Sequence, residues 1–347
     1  MSLREIARRA GVSVATVSRV INDVDRQKVG EETRARILDI ARTMRYRPNP
    51  QAVSLVTRRP PNTLGLFIPY NSHVFESFYF TETIRGAVDA ASGHGMNISL
   101  FVPSRDAPSD VYHEMLTDNR SVAGMLLIGT RVDDPAIAEC RAAGAPFVVI
   151  NNSVADPDVS YVDCDNVSGA ADATRHLIRL GHTRIAFITG PPVSSNAKDR
   201  RTGYERALAG AGLALDESLV ADGRVEEQGG REAMRALLAQ GPRPTAVFAA
   251  NDMMALGAMK TIRREGFRVP EDIAVIGFDD IPISQYIEPS LTTVHQPMYQ
   301  IGRRAAETLA AQVLNGRDET AATRHILRTR LVIRESCGAR RPPEGSA

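Results

Sequence analysis

The sequence lacks the residues and patterns that mark several classes of protein. It has no tryptophan, so no indole takes part in whatever it does. Cys140, Cys164 and Cys337 are odd in number and scattered, which excludes a disulfide framework and zinc-ligand spacing. The seven histidines show no metal spacing either, so no metal or cofactor is expected. No apolar run approaches membrane length. The N-terminus passes straight into a charged helix without an apolar stretch, so a cytoplasmic protein without membrane contact is expected. There is no glycine-rich phosphate loop, no nucleophile elbow and no helix motif for a catalytic metal. No catalytic residue can therefore be named, and an enzyme is disfavoured. At 347 residues the chain exceeds one ordinary core and implies two or three domains.

What is present is charge kept in one place. Residues 1–59 carry 13 Lys+Arg against 6 Asp+Glu, while the whole chain is only +1. A basic head on a mildly acidic body is the electrostatic footprint of a nucleic-acid-binding module. In that head Ile6, Ala7 and Ala10 fall at helical spacing, with Ser2 as cap and Gly11 as stop. Ser13 caps a second short helix whose apolar face is Val17, Val20 and Ile21. A third helix is predicted from Glu31 to Met44, with Ile37, Leu38 and Ala41 facing inward. The short turn Ala10-Gly11-Val12-Ser13 sets the first two helices at a steep angle, which makes a helix-turn-helix.

The residues left over after packing suggest a reader of DNA. Val14, Ala15, Ser18 and Arg19 point away from the apolar face near the N-terminal end of helix two, the end that enters a major groove. Arg19 can fork onto a guanine, and Val14 and Ala15 can press on thymine methyls. Ser13, Thr16 and Asn22 carry short polar groups of the kind that bond phosphates. A three-helix bundle with solvated arginines would share the pattern, so the following segment matters. Arg47-Pro48-Asn49-Pro50 is extended, Asn49 can cap, and Pro50 suits a first helical position. Residues 51–56 are then one or two helical turns, too short to be stable alone. Leu55 on them is a candidate wedge for a minor-groove step.

Past Pro61 the period changes. Short apolar runs at 63–69, 97–102, 124–129 and 147–151 alternate with helices at 79–93, 110–119 and 135–143. The pattern restarts with runs at 184–190, 245–251 and 272–278 and a weak strand near Leu219, again with helices between. Such runs are strands of parallel sheets covered on both faces. A final strand-helix unit spans 292–315, and 324–334 reads as a last strand pair. Late returning segments imply crossovers near 161–165, 289–296 and 320–325. Ligands of doubly wound sheets bind beyond the carboxyl ends of the strands. The polar and aromatic residues there are Tyr70 and Asn71, Phe78, Tyr79 and Phe80, then Asn151 and Asn152. In the second half they are Ser194, Asn196, Arg200, Asn251, Asp252, Phe278, Asp279 and Asp280. Aromatics stack on sugar rings, and amides and carboxylates bond hydroxyls. Asp252 is expected to cap the helix after it.

"GVSVATVSRVIND", "YRPNPQAVSL" and "GFDDIP" resemble the LacI/GalR family of bacterial transcription regulators, from residue 3 to about 335. The resemblance implies that Val14, Ala15 and Arg19 read bases and that Ala52 and Leu55 hold the minor-groove positions of a hinge helix. It implies effector contacts at Arg200, in an Arg-x-x-Gly pattern, at Asn251 and at Asp279, with Asn151 and Phe80 matching less closely. Members that bind purines carry an arginine where Ser194 stands, which turns the expectation from a nucleobase corepressor to a sugar. The implied fold is an all-α helix-turn-helix head with a hinge helix. An α/β body of two lobes like periplasmic binding proteins follows, built on two doubly wound parallel sheets. The boundaries read as 1–48 for the head and 49–61 for the hinge. The N-terminal lobe takes 62–163 and 293–322, the C-terminal lobe takes 164–292 and 323–336, and 337–347 is a disordered tail. The expected protein is a homodimeric repressor binding operator DNA and a sugar; a solute-binding protein or an enzyme are the rivals.

Overall fold

A computed structural model describes residues 2–23, 28–46, 61–68, 77–102, 122–130, 134–315 and 322–339. The expected hinge helix, with Asn49, Ala52 and Leu55, lies outside them, as do Tyr70, Asn71 and the helix at 110–119.

Ile6, Ala7 and Ala10 are buried on one face of α1 (Leu3–Ala10). Gly11 ends that helix at φ 65°, a left-handed conformation that costs glycine nothing. Ser13 then caps α2 (Val14–Ile21), its hydroxyl accepting from the Thr16 N–H at 3.1 Å. α3 (Glu31–Thr43) brings Ile37 against Val17 and Val20, and with Met44 these side chains give the head a core of its own. Leu38 does not face inward as expected: it is 39% exposed. One residue turns a helix by about 100°, so Ile37 and Leu38 cannot both point at one small core.

The body begins with β1 (Thr63–Phe67), α4 (Phe78–Gly93), β2 (Asn97–Phe101), β3 (Gly124–Ile128), α5 (Pro135–Ala142), β4 (Phe147–Ile150) and β5 (Tyr161–Cys164). It continues with α6 (Asn166–Arg179), β6 (Ile185–Thr189), α7 (Ser195–Gly210), β7 (Val220–Asp222), α8 (Glu227–Ala239), β8 (Ala246–Ala249), α9 (Asp252–Arg264) and β9 (Ala274–Asp279). The last elements are β10 (Thr292–His295), α10 (Met298–Asn315), β11 (Arg324–Leu327) and β12 (Arg330–Val332). One sheet runs β11-β5-β4-β3-β1-β2, all parallel. The other runs β12-β10-β9-β8-β6-β7, parallel except for antiparallel β12. β3, β4 and β8 are buried at every residue, as strands covered on both faces must be.

The sheets correct the lobe boundaries. β10 pairs with β9, so residues 293–295 belong to the second lobe, not the first. β11 pairs with β5, so residues 324–327 belong to the first lobe, not the second. The expected terminal strand pair is thus two strands in different sheets. The crossovers fall just after Cys164, between His295 and Met298, and between Leu327 and Arg330. The expected tail also starts too early: Ser336 and Cys337 are buried, with the Cys337 thiol 3.4 Å from His176 Nε2.

Candidate functional site

The head presents one open edge. Val14 is 42% exposed, and Ala15 and Arg19 are exposed beside it on α2. Arg19 makes no ion pair among the described residues. The other expected contacts are already engaged: Ser13 and Thr16 share a hydrogen bond of 2.8 Å between hydroxyls, and Asn22 Nδ2 donates to Ser18 Oγ at 3.2 Å. These groups hold α2 in shape and keep spare O–H and N–H protons.

In the body, the strand order reverses between β6 and β8, and a pocket opens at the carboxyl ends of these strands, where such folds bind ligands. Ser194, Asn196 and Arg200 come to it on the α7 side, Asn251 from the end of β8 and Asp279 from the end of β9. Pro191, Val225 and Met254 supply apolar wall. Tyr79, on α4 of the other lobe, closes it.

Arg200 is the centre. It is buried, and its Nε donates to Asn166 Oδ1 at 2.8 Å, its Nη2 to Gln296 Oε1 at 3.0 Å and its Nη1 to the Ala250 carbonyl. Asp279 Oδ1 lies 3.5 Å from Nη1, and the guanidinium sits 3.7 Å over the Phe278 ring. The Arg-x-x-Gly pattern has a packing reason. A Cβ at Gly203 would collide with the Val167 carbonyl, so only glycine lets α7 approach α6 closely enough for Arg200 to reach Asn166. Asn166 and Gln296 stand at two of the three crossovers, so this one side chain ties the pocket to the strands that join the lobes.

Burial sets the electrostatics. It pushes the Asp279 carboxyl up to about 6, with the Arg200 charge pulling it down. It raises Asp163, beside the first crossover, to about 7, opposed by the Cys164 N–H and by Arg200. The Tyr79 hydroxyl is pushed up by burial, opposed by the hydrogen bond from Asn151 Nδ2. Adjacent Asp280 points the other way, as neighbouring acids should, and pairs with Arg334 at 2.6 Å and His295 at 3.0 Å.

Ser194, Asn196, Arg200, Asn251 and Asp279 thus meet at one pocket. Phe278 does not: its ring is fully buried beneath Arg200 and offers no face to a ligand. Phe80 packs edge-on against Tyr79 at 4.9 Å and beside Gly129, leaving Tyr79 as the aromatic lining residue. Asn151 reaches the pocket only through Tyr79. Nor does Asp252 cap α9. Asn251 does, accepting from the Met254 N–H at 2.7 Å while its Nδ2 donates to the Val225 carbonyl at 2.8 Å. Sequence reasoning missed Gln296 and Asn166, whose roles depend on contacts across 96 and 34 residues with Arg200. Among the described residues no cluster of three or more His, Cys, Asp or Glu could hold a metal, and no helix is long and apolar enough to cross a membrane.

Known proteins share this layout. A family model for "Bacterial regulatory proteins, lacI family" matches residues 2–49, and one for a "Periplasmic binding protein-like domain" matches residues 174–337. The chain is 37% identical over 340 residues to the HTH-type transcriptional regulator CelR of Thermobifida fusca, covering 96% of this chain and 98% of that one. It is 34% identical over 338 residues to the HTH-type transcriptional repressor CytR of Escherichia coli K12, covering 97% and 96%. Among solved structures, a transcriptional regulator CelR–cellobiose complex matches with a TM-score of 0.74 at 36% identity, covering 97% of this chain and 99% of that one. The lac repressor dimer bound to operator and the anti-inducer ONPF matches with a TM-score of 0.81 at 26% identity, covering 98% and 99%.

Proposed function

Since the chain belongs to the lacI family of bacterial regulatory proteins, we propose that it is a sequence-specific transcriptional repressor. It works in the cytoplasm as a homodimer, and a neutral sugar in the inter-lobe pocket controls its grip on operator DNA. Val14, Ala15 and Arg19 read base edges, Ser13, Thr16, Ser18 and Asn22 meet the backbone, and the hinge residues Asn49, Ala52 and Leu55 complete the DNA contact. Ser194, Asn196, Arg200, Asn251, Asp279 and Tyr79 hold the ligand.

The observation that carries this reading is Tyr79. The described pocket is otherwise built from the second lobe, so anything that fills it and touches Tyr79 binds both lobes at once. Its binding energy then depends on how the lobes sit, which is what an effector needs to shift a two-state equilibrium. Coupling of that kind is typically worth ~1–3 kcal/mol.

Polar chemistry supports a sugar. The only cation lining the described pocket, Arg200, is already paired with Asp279, so an anionic ligand gains no net charge partner there. Gln296 Nε2 is a buried donor and Asn151 Oδ1 a buried acceptor, and neither has a protein partner among the described residues. Each stands one hydrogen bond behind a lining residue, Arg200 or Tyr79. The lining itself mixes donors and acceptors in Ser194, Asn196, Asn251 and Asp279, and hydroxyl groups, which both donate and accept, match it.

The test is duplex binding by the full chain across a salt series, using a palindromic site selected from random DNA, with and without neutral mono- and disaccharides. A steep salt slope is expected, together with a change in affinity for at least one sugar. A response only to nucleobases or nucleosides would move the effector to that class. Indifference to every selected duplex would remove the regulatory reading.

A further inference from the structure

Asp252 is the first residue of α9, is fully buried, and does not line the pocket. Its Oδ2 accepts from the Ile281 N–H at 2.9 Å and from Ser284 Oγ at 2.8 Å, and its Oδ1 accepts from Thr293 Oγ1 at 2.5 Å. Thr293 Oγ1 in turn accepts from the Asp280 N–H at 3.4 Å. Two successive backbone N–H groups, 280 and 281, thus end on one carboxyl, one directly and one through a hydroxyl.

That turn needs holding. Asp279 has φ 116° and Asp280 φ 59°. Non-glycine residues there are strained and persist only where their surroundings over-determine them. Asp279 is also the residue that carries a carboxylate into the pocket beside Arg200. If the turn relaxed to ordinary dihedrals, the Cα–Cβ bond of Asp279 would swing and the carboxylate would leave the guanidinium. The outer side of the turn is fixed separately by Arg334 and His295 on Asp280. The inner side depends on Asp252.

We propose that Asp252 is a positioning residue. By clasping Ile281, Ser284 and Thr293 it fixes the 279–281 turn so that Asp279 faces Arg200 and the ligand, which Asp252 itself never touches. The effector part of this assignment rests on the pocket reading above; the mechanical part does not. Burial pushes the Asp252 carboxyl up to about 8, and the nearby Asp279 charge adds to this, while its three hydrogen bonds pull the other way. Its acceptor capacity is thus held in place by geometry at some electrostatic cost, as suits a structural clasp with one task.

The experiment is amide hydrogen exchange on the unliganded full chain, comparing wild type, Asp252→Asn, Ser284→Ala and, as a buried polar control, Thr174→Val. Asp252→Asn keeps the shape but turns one of the two acceptor oxygens into an NH2 donor, so the bonds to Ile281 and to Thr293 cannot both survive. It should speed exchange of the Ile281 amide or of the Asp280 amide, which reaches the carboxyl through Thr293, by about 10–100-fold and leave the amides of β6 and β8 unchanged. Ser284→Ala, which removes one donor and serves if the first variant does not fold, should speed the same amides by about 5-fold. Thr174→Val should not touch them. Unchanged Asp280 and Ile281 amides, or loosening spread evenly over the second lobe, overturn the proposal. Titration with cellobiose is the second arm. Asp252→Asn should weaken it by about 10-fold while duplex affinity stays within about 2-fold; equal affinity in wild type and variant overturns the positioning role. A wild type blind to cellobiose counts against this sugar as effector, and the exchange result then decides on Asp252 alone.

Discussion

The two proposed recognition surfaces of this chain work by opposite physics. On α2 the proposed reading side chains are exposed: Val14 and Arg19 project from a helix fixed by Val17, Val20 and the Ser13 cap. In the pocket, Arg200 is 7% exposed and its guanidinium already bonds Asn166, Gln296 and Ala250. The head therefore gains interactions when it binds, whereas the pocket can only exchange or complete them. An exposed residue of α2 such as Arg19 can be lost at the expense of binding alone. A residue of the pocket takes stability with it, because its partners are left buried and unpaired.

Arg200→Ala should have the largest effect. It strips a buried charge from Asp279 and leaves Asn166 and Gln296 short of donors, and breaking a buried pair of this kind costs about 3–5 kcal/mol. Thermal unfolding should show a marked drop for the body, and sugar binding should vanish. The head has a separate core, so duplex binding should persist without a ligand response. A normal response would take Arg200 out of the site. Arg19→Ala comes next and should act in reverse. It should leave stability within about 0.5 kcal/mol and cost about 1–3 kcal/mol of base discrimination at one position of each half-site. Selection of bound duplexes from a random pool reads this directly, and unchanged preference at every position would end its role as a reader.

How far the sequence revealed these regions depended on whether the decisive contacts were local. The helix-turn-helix was legible because capping at Ser13, the stop at Gly11 and the spacing of Val17 and Val20 all act within one or two turns. The alternation of strands and helices was legible for the same reason. The lobe boundaries near 293 and 323 were not, since short strands such as β10 and β11 join whichever sheet edge lies beside them. Of the neighbouring candidates Tyr79 and Phe80 only Tyr79 lines the pocket, since one residue is about 100° around a helix. Giving the α9 cap to Asp252 instead of Asn251 had another cause. Either residue type can cap, and what commits Asp252 elsewhere is Thr293, 41 residues away.

Acid and base should separate stability from binding. Asp163, Asp252 and Asp279 have carboxyls raised to about 7, 8 and 6. The folded body thus holds protons that the unfolded chain has released. This contribution is full below the ordinary carboxylate range and is lost as pH rises to about 8, so the unfolding midpoint should fall over that window. Sugar affinity should move the other way: Asp279 accepts from a hydroxyl more strongly when ionised, so binding should strengthen as pH rises through about 6. Calorimetry at pH 5 and pH 7 with the same sugar checks the sign. Equal affinities would mean that Asp279 serves Arg200 and not the ligand.

The smallest effect sharpens the contrast most, because Ser13 holds structure and is also proposed to touch DNA. Its hydroxyl accepts from the Thr16 N–H and shares a bond with the Thr16 hydroxyl. Ser13→Ala removes the cap and should cost ~1 kcal/mol of head stability, whereas Ser13→Gly should cost only a few tenths, because glycine is tolerated at that position. Both variants lack the hydroxyl. If Ser13 meets a phosphate, the two should lose duplex affinity by the same few-fold factor on every sequence, with the salt slope unchanged because no charge is removed. If it only caps, Ser13→Gly should bind like wild type and only Ser13→Ala should weaken. Melting and duplex titration of the same two variants therefore decide whether the head keeps its framework and its contacts on separate side chains, or, as Arg200 does in the body, on one.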